Sequence, residues 1–598
     1  MTSTGRLFEL EPEPAVDVPD GSVPVRVLPD VSGFDKEFDY LLTGEQVGLA
    51  SIGDQVRIEL KGRQVSGWIT GIDLDRPSGI TLRPVSKITS AGPSSDIVEV
   101  ARWAARRWGG RMATVLKTAS PPRRVLPFPA TPAPSAPPPA GGARPGVEVF
   151  RFGPAHDLLP LLIDAAGRGN AIVVVPGLST ARALAGRLRR HKVAARVHPR
   201  DWGQGAHRGG VVIGARSAVW ARVPDLATIV VIDEHDEALQ EERNPTWHAR
   251  DVAIERARRG GAACWLVSPS PSVVALNRAD QYHEPGRSAE RADWPIVETV
   301  DRRDDEPGRG LFSAQVVDAV RQPGSVLCVL NRKGRAVMLA CSQCGELVLT
   351  EDGERLMVEQ EGHLVCPSTG ETRPIVCANC GATRLKRLRL GVARAAEELA
   401  ALAGEPVDEL SGPGRSRQGP GSRVVVGTEA ALHQLTTVDR VVFLDFDQEL
   451  LAPRYRAGEQ AMSLLILAAR LVGGRANASR AGGGGIPGRI VIQTRTPKHR
   501  VLSAAVKADP ASFARAELDL RQSLELPPFA ALAELSGKGA PDLGAALAER
   551  AGIDVMGPRH DGRYLVKASS ADELADALAD TPRPEQQRVR VAVDPPRA

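Results

Sequence analysis

Between Ala171 and Thr494 the chain keeps returning to one pattern: a short run that is apolar at nearly every position, then a stretch with helical spacing. The runs AIVVVP, GVVIGA, TIVVID and CWLVSP form one series; SVLCVLN, RVVVGT, VDRVVFLD and GRIVIQT form a second. A strand with one wet face alternates apolar and polar residues, whereas a strand apolar throughout must be covered on both faces. Helices lying between successive strands supply that cover and make the strands parallel. The pattern implies a multidomain α/β protein with two tandem lobes, 147–300 and 301–508. The helix between the first two runs, STARALAGRLRRH, takes Ser179 or Thr180 as its cap.

The flanks read differently. Residues 1–22 are acidic and Pro-rich, a disordered tail without the basic start and apolar core of a secretory signal. From 23 to 92 short β-type runs (VPVRVLP, FDYLL, GDQVRIEL, QVSGWITGI) alternate with turn residues, which gives a small β domain. SSDIVEVARWAARRWGG, with Ser94 and Ser95 as candidate caps, and MATVLKTA make 93–118 a helix-rich or winged-helix-like module. Residues 119–146 are rich in Pro, Ala and Gly and form a linker. The end, 509–598, is helical and then mixed, a C-terminal α+β domain. No run of about 18 apolar residues exists, so no membrane span is expected. The net charge of +4 permits nucleic-acid binding without requiring it. The expected compartment is the cytoplasm.

Five of the seven cysteines fall between Cys341 and Cys380. Cys341-Ser-Gln-Cys344-Gly345 and Cys377-Ala-Asn-Cys380-Gly381 are two CxxCG knuckles. Each can present two thiolates to one ion from a tight turn, and four thiolates make the tetrahedral shell of a structural Zn²⁺ site. The long gap between the knuckles must hold a hairpin of its own. His363 and Cys366, inside that gap, read as a solvated imidazole and an unliganded thiol; Cys264 and Cys328 read as small core residues. The basic run from Arg384 to Leu390 suits either DNA phosphates or a charge-protected strand edge.

Several strings, in order along nearly the whole chain, resemble the PriA family of primosomal replication-restart proteins. LNRKGRAVMLACSQCG (Leu330–Gly345) resembles the family's segment leading into its first zinc knuckle. FDYLL with GDQVRIEL resembles the domain that captures a DNA 3′ end, and ARWAARRWGG the start of its winged helix. IGARSAVWA, HARDVA, SPSPS (Ser268–Ser272), VVVGTE, LELPPFA and AVDPPR fall where related family strings fall. The resemblance implies two RecA-like, helicase-type lobes, with a zinc-binding insertion, 335–390, in the second. It also implies a DNA-end site at Phe38, Asp39 and Tyr40, with Lys61 nearby. There the carboxylate would accept the 3′-OH and an aromatic would stack on the terminal base; Phe38 and Tyr40 equally suit a β-domain core.

The departures bear on chemistry. The family's ATP site needs GxxxxGK[ST], whose amides and Lys hold the phosphates. Between Val149 and Ala171 there is no Lys, and GK[ST] occurs nowhere in the chain. The family's acidic DEEHD motif is one residue short at Asp233-Glu234-His235-Asp236: Ile232 stands at the Mg²⁺ position if His235 is aligned, and an acidic residue is deleted if Asp233 is aligned. Asp233 and Glu234 then read as vestigial surface acids at a strand end in preference to an acid/base pair. LAARLVGGR keeps Arg470 and Arg475 but changes the spacing and puts Leu467 in place of the family's Gln, which favours a salt-bridged or DNA-facing role for these two arginines over that of an arginine finger. Of the family's inner metal ligands, Thr350, Gly353, Cys366 and Thr369 mark the positions, so one zinc ion is expected and the second site is lost. No catalytic or nucleotide-binding residue is expected. The resulting reading is a degenerate helicase that binds forked or branched DNA with a free 3′ end. It would recognise abandoned replication forks and help to reload the replicative helicase without hydrolysing ATP. The implied partners are primosome proteins, the helicase-loading system and single-stranded DNA-binding protein. The rival readings are a residual ATP-dependent 3′–5′ helicase and a primosome scaffold that binds no DNA.

Overall fold

The structure is a computed structural model. It describes residues 21–32, 35–75, 81–126, 146–303, 310–330, 338–344, 348, 350–351, 357–360, 362–366, 371–388, 392–410, 421–475, 487–559, 561–584 and 587–596. Most of the expected tail and linker, Gly345, Gly353, Thr369 and residues 331–337 of the family-like string lie outside these. The chain divides into two compact units, each assembled from separate stretches. One comprises Met1–Gly146, Leu161–Val230 and Gln240–Cys264; the other comprises Val147–Pro160, Val231–Leu239 and Trp265–Ala598.

The first unit opens with a five-stranded antiparallel sheet in the order Phe38–Leu42, Val23–Pro29, Arg63–Ile72, Gln55–Leu60, Lys87–Ser90. Val25, Val27, Tyr40, Leu42, Val56, Ile58 and Ile69 form its core. At about 1.5–3 kcal/mol for each large apolar side chain fully buried, that core is what holds so small a sheet. Gly53 is dictated by crowding: its φ is +92°, and a Cβ there would lie 1.7 Å from the Pro93 carbonyl oxygen. Residues 93–118 hold the helix Ser95–Arg107 and most of the helix Met112–Ala119, and no strand, which fits the helix-rich alternative. Asp35 caps the second helix, accepting the Met112 and Ala113 N–H groups at 2.6 and 3.2 Å, and Trp68 Nε1 donates to Ser120 Oγ at 2.8 Å. These bonds tie the helix pair to the sheet. Ser94 does stand at the N-cap, but its hydroxyl turns to Asp96 instead of the backbone.

The same unit carries the parallel strands Asn170–Val174, Val211–Gly214 and Ala195–Val197, in that order, and most of Leu226–Ile232, the next neighbour of Asn170–Val174. The helix Leu178–Arg190 begins two residues earlier than a Ser179 cap implies. Gly177 is its cap, and its carbonyl accepts the first helical bond from the Ala181 N–H at 3.1 Å. Ser179 and Thr180 therefore sit inside the first turn, a correction that follows from Gly being an adequate cap itself.

In the second unit Gln281–His283, Gly146–Arg151 and Ala263–Ser268 are neighbouring strands. A wholly parallel six-stranded sheet runs in the order Ile296–Asp301, Arg489–Thr494, Arg440–Phe443, Val326–Val329, Val424–Gly427, Val407–Leu410. Its strands are apolar on both sides because both faces are covered. Leu327 and Val329 join a cluster with residues of the helices Ala457–Val472 and Arg500–Lys507. Val326 and Cys328 join another with residues of Ala314–Arg321 and Val392–Ala403. The mixed α/β class with parallel sheets thus stands as the sequence implies. Between the knuckles lies a three-stranded antiparallel sheet, Val358–Gln360, His363–Val365 and Thr372–Pro374, one strand more than the expected hairpin. A four-stranded antiparallel sheet with helices follows Asp509. Among the described residues no helix is long and apolar enough to cross a membrane.

Candidate functional site

The two knuckles are brought together by one short ladder. Met338–Cys341 pairs antiparallel with Leu385–Leu388, setting Cys341 opposite Leu385 beside the second knuckle. The ligand sulfurs of Cys341, Cys344, Cys377 and Cys380 all lie within 4.8 Å of one another, Cys341 to Cys380 at 3.4 Å and Cys344 to Cys377 at 3.6 Å. Gly381, at φ +72°, closes the second turn, and its N–H donates to the Cys377 carbonyl at 3.0 Å. The backbone amides of Cys344 and Gln343 point at the Cys341 sulfur and hold its thiol down to about 6, so that it is ready to act as a thiolate. Four such sulfurs can hold a metal ion, and the all-sulfur set suits zinc. Cys366 is apart from them: it is buried with Leu339, Val348, Met357 and Leu364 in an apolar cluster. Thr350 is also buried; Cys264 and Cys328 are fully enclosed core residues.

The proposed DNA-end residues lie on and near the edge strand Phe38–Leu42. Tyr40 points into the core, 4% exposed, and its hydroxyl donates to the Glu59 carbonyl at 2.9 Å. Phe38 packs partly against the same core, with Lys36 Nζ 5.8 Å from its ring centre. Asp39 points the other way. Its Oδ1 accepts from Arg26 Nε at 3.0 Å, and its Oδ2 has no partner among the described residues. Lys61 is exposed at the tight turn joining Gln55–Leu60 to Arg63–Ile72.

The acidic motif is a different kind of site. Strand Leu226–Ile232 ends where Asp233 takes a left-handed conformation, φ +55°, which Asp tolerates better than most residues. Asp233 and Glu234 are 6% and 0% exposed, so they are not the surface acids that the sequence implies. The reason is that each has dedicated partners. Arg470, on the helix Ala457–Val472, grips Asp233 with both guanidinium nitrogens at 2.5 Å. Burial would raise this carboxyl, but the guanidinium outweighs it and holds the group below its ordinary value. Glu234 accepts the Ser272 N–H and hydroxyl, both at 2.7 Å, and His235 Nδ1 meets Ser268 Oγ at 2.7 Å. The SPSPS string is therefore what satisfies this motif, and Ser272 also caps the helix Val273–Arg278.

Beside the motif opens a cleft of about 560 Å³ lined by Asp236, Glu237, Glu429 and Glu449 among others. Arg454, also in its lining, pairs with Glu449 at 3.3 Å. Sequence reasoning passed over one further network. Glu459 accepts the Val273 N–H at 2.9 Å and an Arg521 bond at 2.5 Å, while Arg521 also donates to the buried Glu517 at 3.0 Å. Glu459 and Val273 are 186 residues apart, and no local spacing announces such a contact.

These features define an α/β protein with a compact β-sheet and helix pair at its N-terminal end and a four-cysteine cluster in a later insertion. Residues 26–121, which take in both the sheet and the helix pair, match the 3′DNA-binding domain (3′BD) of PriA. The chain is 28% identical over 577 residues to the probable replication restart protein PriA of Mycobacterium leprae, covering 85% of this chain and 86% of that one. It is 27% identical to the replication restart protein PriA of Haemophilus influenzae, covering 54% of this chain and 46% of that one. With that of Bacillus subtilis the figures are 26%, 61% and 49%. The chain thus spans about half the length of these two relatives and most of the mycobacterial one. Its similarity is therefore to the PriA replication restart proteins, over most of its length in the mycobacterial case.

Proposed function

We propose that this protein recognises abandoned replication forks through a free 3′ end and helps to reload the replicative helicase as a platform that does not turn over ATP. Its two α/β portions are read as degenerate RecA-like lobes. One observation carries the proposal: Arg470 and Asp233 occupy each other. In a working nucleotide site such an arginine meets developing phosphate charge and such an acid orients Mg²⁺. Here two parallel bonds consume both groups, and the adjoining cleft adds carboxylates that repel a triphosphate. The lack of any Lys between Val149 and Ala171 agrees with this. Fork binding is supported by the match over residues 26–121 and by the open oxygen of Asp39. The four-cysteine cluster holds one structural zinc ion in this reading, and partner proteins of the primosome act in the cytoplasm on the same DNA.

The test measures ATP hydrolysis with and without forked DNA and metal content on the same sample, and fork affinity by fluorescence anisotropy. The expected result is no turnover, about one zinc per chain, and tighter binding to forks than to blunt duplex. DNA-stimulated hydrolysis that disappears in Asp233→Asn would overturn the platform reading. Cys341→Ser is expected to empty the metal site and expose the insertion to proteolysis, since metal binding of this kind supplies its folding free energy.

A further inference from the structure

We propose that the surface formed by the end of helix Leu178–Arg190, the turn after it and the edge strand Ala195–Val197 is a second nucleic-acid contact, one that grips the phosphodiester backbone. This rests on the DNA-binding reading above and adds a surface to it. Residues 175–213 contain eight Arg and Lys and a single acid, Asp201, although the whole chain is nearly balanced at +4. The rest of the chain is therefore slightly acidic, and the cationic excess sits here.

The fold places these charges together. Arg189 Nε donates to the Ala195 carbonyl at 2.9 Å and its guanidinium reaches Asp201 at 3.8 Å, which joins the helix end to the strand and to the turn carrying Arg200. Asp201 is already engaged, accepting the Val197 N–H at 2.9 Å and Arg200 Nε at 3.0 Å. Arg182, Arg190, Lys192 and Arg208 are exposed and have no carboxylate partner among the described residues; the Arg200 side chain is 78% exposed. At about 100° per residue, Arg182, Arg189 and Arg190 fall within one arc of roughly 100° on the helix. From Arg182 to Arg189 the axis rises about 10 Å, comparable with the roughly 6–12 Å widths of DNA grooves.

A helix C-terminus attracts cations by its dipole, which accounts for Arg189 and Arg190. It accounts for neither Arg182, two turns earlier, nor Arg200, beyond the strand. Arg predominates, and its planar fork matches phosphate oxygens better than the point charge of Lys. The strand Ala195–Val197 ends its sheet, so among the described residues no further strand covers the edge beside these charges. Unpaired cations on one face with a consumed acid fit a polyanion, and the phosphodiester backbone is the polyanion that the remainder of the molecule is read as handling.

The experiment follows fluorescence anisotropy of the full chain against salt for four probes: a fork with a free 3′ end, a duplex closed by hairpins at both ends, oligo-dT, and polyglutamate. The quadruple variant R182A/R190A/K192A/R200A is expected to lose about 10–100-fold in affinity for the closed duplex near physiological salt. The slope of log affinity against log salt should become shallower by about 2–4, because each phosphate no longer neutralised takes roughly 0.9 from it. The same loss on oligo-dT with the closed duplex spared would assign the surface to single strands. R182Q/R190Q/K192Q/R200Q repeats the measurement if the alanine variant melts early. An unchanged slope in a folded variant overturns this inference and leaves fork binding standing; a parent chain that binds none of the probes overturns both readings. Loss of polyglutamate binding with DNA binding intact would overturn it too, in favour of an acidic protein partner.

Discussion

Asp39 and Asp233 carry the same carboxylate and have opposite fates. Asp39, on an edge strand of the first unit, gives one oxygen to Arg26 and leaves the other accessible. Asp233, buried in the second unit, gives both oxygens to one guanidinium. An open acid can still receive a ligand's hydroxyl; a closed one has become part of the packing. The lesson is that a motif's residue types do not report its chemistry until its partners are known. Asp233 reads as part of a hydrolase motif and behaves as half of a structural clamp.

The largest effect that could break this comparison is on stability. Arg470→Ala strands a buried carboxylate, and the expected cost is about 3–5 kcal/mol by thermal or urea unfolding, with most of it recovered when Asp233→Leu is added. If Arg470→Ala left stability unchanged, the clamp would be no clamp. The pair also predicts a sign with pH. A carboxyl held below its ordinary value stabilises the fold above that value, and this contribution disappears as pH falls through the folded value.

Two buried groups of the first unit sharpen the contrast because neither is gripped by a guanidinium as Asp233 is. Asp54 accepts the Ser51 and Gly92 amides and is pushed by burial up to about 6. Its contribution is present in acid and is lost as pH rises through about 6. His198, 2% exposed with neither ring nitrogen hydrogen-bonded among the described residues, is pushed by burial down to about 4. Its contribution is present above its ordinary value of 6.5 and is lost as pH falls through about 4. Each is worth about 3 kcal/mol across its window at about 1.4 kcal/mol per pH unit. They oppose one another, so the parent chain is expected to change little between pH 4 and 6. Asp54→Asn should uncover a loss in acid, and His198→Leu a loss toward neutral pH, both read as melting temperature against pH. Parallel curves for the three proteins would refute the assignment.

The smallest effect is the most specific. Asp39→Asn is expected to leave stability within about 1 kcal/mol, since what it weakens is one part-buried ion pair with Arg26. It should weaken binding to a fork with a 3′-OH by roughly tenfold, in line with one charge-assisted hydrogen bond. A fork ending in a 3′-phosphate should show no such difference. Equal weakening on both forks would remove Asp39 from the DNA-end site.

How much of this could be read from residues alone follows from distance along the chain. The metal cluster was visible because each knuckle is four residues long, and the parallel sheets because runs such as AIVVVP carry their burial on their face. The burial of Asp233 was not visible. A one-residue shortening of the motif says that geometry has changed, and only the fold says that Arg470 and Ser272 come to meet it. Gly177 was passed over as a cap because Ser and Thr stood beside it. Residues 93–118 are helical, as their own spacing implies, which fits the helix-rich alternative.

The interleaved make-up of the two units has a consequence for how the molecule comes into being. The first unit has all of its parts once Cys264 has left the ribosome, and by then two stretches of the other unit, Val147–Pro160 and Val231–Leu239, have also been made. Those stretches must wait. Asp233 emerges 237 residues ahead of Arg470 and spends that part of synthesis hydrated and unclamped. Release from translation at any point before Arg470 would therefore leave a finished front half with two orphaned segments, a natural target for chaperones and proteases.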